Sequence, residues 1–180
     1  VDHLLGGAGE SDIRPVNEAD LLGRHPADID PDSVAGYVTG RRVLVTGAGG
    51  SIGSELCRQL ARLEPAKLFM LDRDEIGLHS TQLSIEGRAM LDDDGLILAD
   101  IRDADRIDEV FAWARPDVVF HAAALKHLPL LEMHPEEGWK TNVCGTLNVL
   151  RAAQRHGTDR LVNVSTDKAA NPTSVLGWTK

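Results

Sequence analysis

From Arg41 onward the chain alternates between two rhythms of apolar and polar positions. Val43-Leu44-Val45 is a short β-branched-rich run closed by glycines, after which Ile52, Leu56, Leu60 and Leu63 recur at helical spacing. Leu68-Phe69-Met70-Leu71 ends at Asp72, and a weaker helical stretch carrying Ile76 and Leu83 follows. Leu96-Ile97-Leu98-Ala99 is closed by Asp100; Ile107, Val110 and Phe111 then mark a helix that Pro116 stops, and Val118-Val119-Phe120 is a fourth strand. The spacing predicts a long helix over 136–156, with Val143, Leu147 and Leu150 turned inward and Gly157 just past its end. Leu161-Val162-Asn163-Val164 reads as a fifth strand, and Ser174 opens a last helix. Five short apolar strands alternating with helices specify an α/β fold, a mostly parallel sheet covered on both faces. Right-handed crossovers make that sheet doubly wound, with ligands at the carboxyl ends of its strands.

Residues 1–40 follow neither rhythm. Gly6, Gly7 and Gly9 crowd the start, and Pro15, Pro26 and Pro31 punctuate an Asp-rich run. We read this stretch as a leader or linker with one short helix over 32–38, and residues 41–180 as the folded domain. The chain's 180 residues suit about one domain. Its 19 Lys and Arg against 28 Asp and Glu give a net charge of −9, which disfavours gripping a nucleic-acid backbone by charge. No apolar run approaches the length of about 18 residues needed to span a bilayer. Cys57 and Cys144 both fall in predicted helices, which suits a reducing compartment rather than a disulfide framework. The first residue is Val1, as expected of a piece of something longer.

Three clusters carry chemistry. The first, Thr46-Gly47-Ala48-Gly49-Gly50-Ser51-Ile52-Gly53, lies between the first strand and its helix. There Gly47 permits a tight turn, Gly50 lets the backbone approach a pyrophosphate, and Gly53 allows close packing of helix on strand. The amides of Ser51, Ile52 and Gly53 would then face the phosphates. Asp72, 19 residues after Gly53 at the tip of the second strand, is placed to accept from the adenosine ribose hydroxyls. A carboxylate there favours NAD over NADP, although Arg73 beside it would accommodate a 2′-phosphate. Asp100 fits two roles equally, acceptor for the adenine amino group or cap of the helix that starts near Asp103.

The second cluster is His121-Ala122-Ala123-Ala124-Leu125-Lys126-His127. Its small residues leave room for a flat cofactor over the strand ends. The seven histidines of the chain lack the spacing of a metal site, and His121 is expected to pack or hydrogen-bond at the strand tip. In the third cluster Ser165-Thr166-Asp167-Lys168 leaves the fifth strand, and Lys180 follows on the next helix. A hydroxyl orients an alcohol, an acid protonates a leaving hydroxyl, and a desolvated lysine takes a carbon-bound proton. A polar loop with Asp167 as a turn residue fits the same spacing.

With these residues in hand, the chain resembles the extended short-chain dehydrogenase/reductase superfamily. More narrowly it resembles the CapD-like polysaccharide-biosynthesis group of UDP-N-acetylglucosamine 4,6-dehydratases. VLVTGAGGSIGSEL, LDRDE, ADIRD, HAAALKHLPLLE, TNVCGTLNVL and VSTDKAANPTSVLGWTK carry the likeness. The resemblance implies an NAD(P)-binding Rossmann fold that here lacks the carboxyl-terminal substrate domain and ends at the start of the active-site helix. It implies a bound cofactor, NAD with NADP as the alternative, that takes hydride from sugar carbon 4 and returns it to carbon 6 after water is lost. By analogy Asp167 is the acid, Lys168 the base, and Thr166 positions the oxidised hydroxyl. Lys180 holds the nicotinamide ribose and Asn142 stands near the active site. Ile101 joins Asp100 at the adenine, and Lys126 shapes the sugar-side pocket.

The resemblance also implies a UDP-sugar substrate and a cytoplasmic parent that can sit at the inner face of the membrane and form homo-oligomers. One departure is Leu176, where the superfamily usually has tyrosine and the long members of this group often have methionine. A hydrocarbon accepts no proton, which disfavours a tyrosine-dependent epimerase. It also keeps a non-catalytic dinucleotide-binding module among the readings.

Overall fold

The computed structural model describes residues 31–88 and 91–180, so the glycine- and proline-rich stretch before residue 31 lies outside the described residues. Helix α1 (Pro31–Val38) leads into strand β1 (Arg42–Thr46), followed by α2 (Ser51–Ala61), β2 (Lys67–Asp72), α3 (Glu75–Glu86) and β3 (Leu96–Leu98). Then come α4 (Ala104–Ala114), β4 (Val118–His121), a short α5 (Leu128–Met133) and one continuous helix. That helix comprises α6 (Pro135–Gly138), a widened π-helical stretch (Trp139–Gly145) and α7 (Thr146–Arg155). Strand β5 (Arg160–Asn163), a single 3₁₀ turn (Asp167–Ala169) and α8 (Val175–Thr179) complete the order.

The strands pair in parallel in the order β3-β2-β1-β4-β5, which is the doubly wound sheet that the alternation predicts. Its two faces are filled by alternate residues of each strand. Leu44, Phe69, Leu71 and Val119 point to one side, where Ile107, Val110 and Phe111 of α4 and Val149, Ala152 and Ala153 of α7 cover them. Val43, Val45, Met70, Val118 and Phe120 point to the other, under Cys57 and Leu60 of α2 and Leu78 of α3. The predicted helix at 32–38 is α1, and its Val38 is fully buried in this second layer. The strand order reverses between β1 and β4, and a crevice lies at their carboxyl ends, the position where this class of sheet takes its ligands.

The long helix is present, but its inward face is not the predicted one. Leu147 and Leu150 are each 41% exposed, whereas Val149, Ala152 and Ala153 are buried. The helix lies close against α4 and the sheet, and that narrow space takes the smaller side chains. The π-helical stretch also inserts extra residues into the turns, which rotates every later position relative to a 3.6-residue repeat. The same kind of correction applies nearer the amino end. Ile52, Ile76 and Leu83 are exposed, and α3 instead buries Leu78, Thr81 and Gln82.

Candidate functional site

The crevice at the β1–β4 divide is open, with a volume of about 200 Å³. Its lining includes Gly47, Gly49 and Gly50, then Asp72, Arg73 and Asp74, then Ala99, Asp100 and Ile101, and on the far wall Ala122, Ala123 and Ala124. Most residues predicted for a cofactor therefore face one space. Leu71, Leu125 and Thr141 also line it. Their apolar or single-hydroxyl character gave no sequence signal, since only the fold brings them there.

The glycine turn is held by contacts that only glycine allows. Gly47 takes a φ of +72°, and a Cβ on it would lie 2.5 Å from the backbone nitrogen of Ala123. Gly53, one turn into α2, packs so tightly that a Cβ would overlap the carbonyl oxygen of Gly47. Gly50 is the N-cap of α2 and supplies no side chain, so no side-chain oxygen occupies the first turn of the helix. That turn is left facing the crevice, the arrangement that favours an anion. Ser51 and Ile52 stand at its exposed rim, and Lys126 reaches across to it, donating from Nζ to Ser51 Oγ at 2.8 Å. The structure thus places the Lys126 ammonium beside the start of α2.

Asp72 is half-buried and pre-set. Its Oδ2 accepts the Gly49 N–H at 2.8 Å and its Oδ1 accepts the Asp74 N–H at 3.0 Å, which ties the tip of β2 to the glycine turn. Arg73 reaches 3.6 Å from Asp100 Oδ2. Asp100 does not cap α4; Asp103 does, accepting from Arg106 N at 3.0 Å. Instead Asp100 Oδ1 accepts the Arg102 N–H at 3.0 Å, while Oδ2 takes the Arg102 guanidinium at 2.6 and 2.9 Å. Burial alone would push the Asp100 carboxyl up, but these Arg102 bonds outweigh it and hold the group below its ordinary range.

At the tip of β4 the His121 ring is 1% exposed and bridges two hydroxyls, Thr46 Oγ1 at 2.6 Å from Nδ1 and Thr146 Oγ1 at 2.9 Å from Nε2. Burial, aided by the Lys180 ammonium, pushes its pKa down to about 4. It is a neutral structural link, as its position at the strand tip suggests. Asn142, in the π-helical stretch, is buried outside the crevice lining. It accepts from Leu125 N at 2.8 Å and donates to Leu125 O at 3.0 Å, and it also donates to Thr179 Oγ1 at 3.1 Å.

The third cluster lies beyond the end of β5. Thr166 Oγ1 donates to Asp167 Oδ1 at 2.9 Å, and Lys168 Nζ donates to the same oxygen at 3.3 Å. The Thr166 hydroxyl foremost, and then Lys168, hold the Asp167 carboxyl below its ordinary range. Asp167 is exposed and therefore ionised here; an acid catalyst needs the opposite setting. Lys180 is half-buried and donates from Nζ to Val164 O at 2.7 Å, and burial pushes its pKa down. Leu176, four residues earlier on α8, is buried at 5% exposure and brings no polar group to the site.

Comparison with known proteins agrees with this arrangement. The model of a family described as polysaccharide biosynthesis protein matches residues 43–180. A probable polysaccharide biosynthesis protein, EpsC, of Bacillus subtilis is 42% identical over 181 residues, spanning 98% of this chain and 30% of that protein. A UDP-N-acetylglucosamine 4,6-dehydratase (inverting) of Campylobacter jejuni is 34% identical over 142 residues, 78% of this chain and 41% of the other. Among solved structures, a UDP-glucose-4-epimerase of Stenotrophomonas maltophila with bound NAD and formylated UDP-arabinopyranose superposes with a TM-score of 0.67 at 27% identity. That match covers 78% of this chain and 45% of the epimerase. The chain thus spans between 30% and 45% of the length of these relatives, which include both nucleotide-sugar dehydratases and epimerases. With a match running from β1 through α8 and the glycine turn, Asp72 and the Thr166–Lys168 cluster all inside it, the chain belongs to the polysaccharide biosynthesis protein family.

Proposed function

We propose that this chain is the NAD-binding part of a nucleotide-sugar 4,6-dehydratase that converts UDP-N-acetylglucosamine to a 4-keto-6-deoxy sugar. The observation that carries the reading is the crevice at the β1–β4 divide. It combines an uncapped helix start behind a glycine turn, a backbone-anchored carboxylate at Asp72 and a wall of three alanines. The residues fit a dinucleotide. The first turn of α2 would hold the diphosphate, and Lys126, bonded to Ser51 at the start of that helix, would neutralise its charge. Asp72 accepts from the adenosine ribose, and Ala99–Ile101 floor the adenine. NAD is preferred because the Asp72 carboxylate repels a 2′-phosphate. The cofactor, when bound, supplies reversible hydride acceptance.

The chain's own residues divide the remaining work. Lys180, desolvated and fixed on the Val164 carbonyl, holds the nicotinamide ribose. Thr166 orients the carbon 4 hydroxyl and, because Leu176 offers no acceptor, relays to water the proton that this hydroxyl gives up as its carbon loses hydride. Lys168 takes the carbon 5 proton, and Asp167 protonates the departing carbon 6 hydroxyl. Each of those two tasks requires that Asp167 and Lys168 be covered, since both are exposed here and Asp167 is held as the anion. The parts of the parent protein beyond this chain would supply that cover, so the 180 residues alone are expected to bind cofactor without turnover. An epimerase reading is weaker because Leu176 carries no proton acceptor. Incubating the parent protein with UDP-N-acetylglucosamine and resolving the products by mass and by proton NMR, which separates 4-epimers, tests the proposal. A product lighter by one water supports it; a 4-epimer of unchanged mass refutes it in favour of epimerase chemistry.

A further inference from the structure

We propose that Asn148 is a positioning residue for the adenosine end of the crevice, an inference that rests on the cofactor reading above. Between β3 and α4 the chain passes through Ala99–Arg102, whose first three residues line the crevice. Within this loop Asp100 binds the Arg102 N–H and guanidinium, and Ile101 is buried in the core. Ala99 N donates to Asp72 O at 3.0 Å, and Asp103 N closes back on Asp100 O at 3.0 Å. Among the described residues no backbone N–H is paired with the carbonyls of Ile101 or Arg102. Both are instead taken by one side chain of α7. Asn148 Nδ2 donates to Ile101 O at 3.0 Å and to Arg102 O at 3.3 Å.

Two further contacts make the helix a brace for this loop. Gly145, one turn before Asn148, lies flat on Ile101; a Cβ there would stand 2.6 Å from Ile101 Cδ1. Arg102, which grips Asp100, is also held at 3.1 Å by Glu137 at the start of the same helix. The helix that secures Leu125 through Asn142 on one wall of the crevice thus secures Ile101 and Arg102 through Asn148 on the other. Release of the Asn148 bonds frees the Ile101–Arg102 and Arg102–Asp103 peptides, directly after the two crevice residues Asp100 and Ile101. The cost falls on any ligand that needs those two residues in place.

The test uses calorimetric titration of the chain with AMP, ADP-ribose and NAD. Asn148→Asp keeps the side chain's shape but sets a carboxylate oxygen against two carbonyls. It is expected to weaken all three ligands by a common factor of about 5 to 30, since the adenosine contacts are shared. Asn148→Ser, which restores one donor, is expected to recover part of the affinity. Ala152→Gly, on the buried face of the same helix away from the loop, is the stability control and should lower the melting temperature while leaving the affinities unchanged. In the unaltered protein, AMP should slow amide exchange at residues 100–103 and at 146–149 together, a readout that does not depend on any variant folding. Wild-type affinity in Asn148→Asp, an equal loss in Ala152→Gly, or protection confined to 100–103 would each overturn the proposal. Failure of the unaltered chain to bind any of the three ligands would overturn the cofactor reading itself.

Discussion

The buried His121 makes stability depend on pH between about 6.5 and about 4. An imidazole in the unfolded chain protonates near 6.5, whereas in the folded protein burial first, and the Lys180 ammonium second, delay this to about 4. Above 6.5 both states are neutral and His121 contributes no pH dependence. As pH falls, the unfolded chain takes up a proton that the folded protein refuses, so stability declines until the pH reaches about 4 and then levels. At about 1.4 kcal/mol per pH unit, that interval removes about 3 kcal/mol. This is a large share of the roughly 5–15 kcal/mol that holds a domain together. The measurement is the free energy of urea unfolding, followed by circular dichroism from pH 7.5 to 4. His121→Gln, whose amide can still meet Thr46 and Thr146 but does not titrate, should be less stable at pH 7.5 and nearly flat over the same interval. Carboxylates held below their ordinary range, such as Asp93 and Asp108, act mostly at lower pH and are common to both proteins. Parallel curves for the two proteins would refute the assignment of a neutral, desolvated imidazole at the tip of β4.

Two other expectations address the phosphate end. Gly53→Ala drives a methyl into the Gly47 carbonyl, so it should cost about 1–3 kcal/mol of unfolding free energy and remove measurable NAD affinity; calorimetry finding either quantity unchanged would contradict the packing described. Lys126→Met should weaken NAD about tenfold, and the deficit should narrow as salt is raised from 0.05 to about 0.5 M, because the lost contact is a screened charge; a deficit independent of salt would place the ammonium elsewhere.

The sheet and its ligand crevice were legible in the sequence because each depends on a local, chemically distinct signal. Buried parallel strands read as unbroken apolar runs, and Val43–Val45, Phe69–Leu71 and Val118–Phe120 are buried on both faces as such runs require. Gly47, Gly53 and Asp72 do work that no other residue type does as well in a strand-turn-helix unit, so their identity and spacing were enough to place them. Helix faces were less legible. A hydrophobic wheel assumes one period and assumes that the larger apolar residue goes inside. The long helix breaks both assumptions, because Trp139–Gly145 is wound more loosely and because the space beside α4 takes Ala152 and Ala153 in preference to Leu147 and Leu150.

Residues whose role is to hold another residue's backbone give the weakest signal of all. Asp100 has the type and position of an adenine acceptor or a helix cap, and only the folded loop shows that Arg102 takes up its oxygens. Asn142 and Asn148 reach loops 17 and 47 residues away in sequence. An amide bonded to a distant carbonyl leaves no trace in local periodicity or charge, since its partner is a peptide group that every residue carries. This asymmetry has a consequence for the crevice. The groups expected to touch a ligand can be listed from the sequence, but the groups that fix their separation lie on one irregular helix behind them. Ligand affinity should therefore respond to changes at Asn142 and Asn148, which hold the two walls from that helix, as well as to changes on the crevice wall.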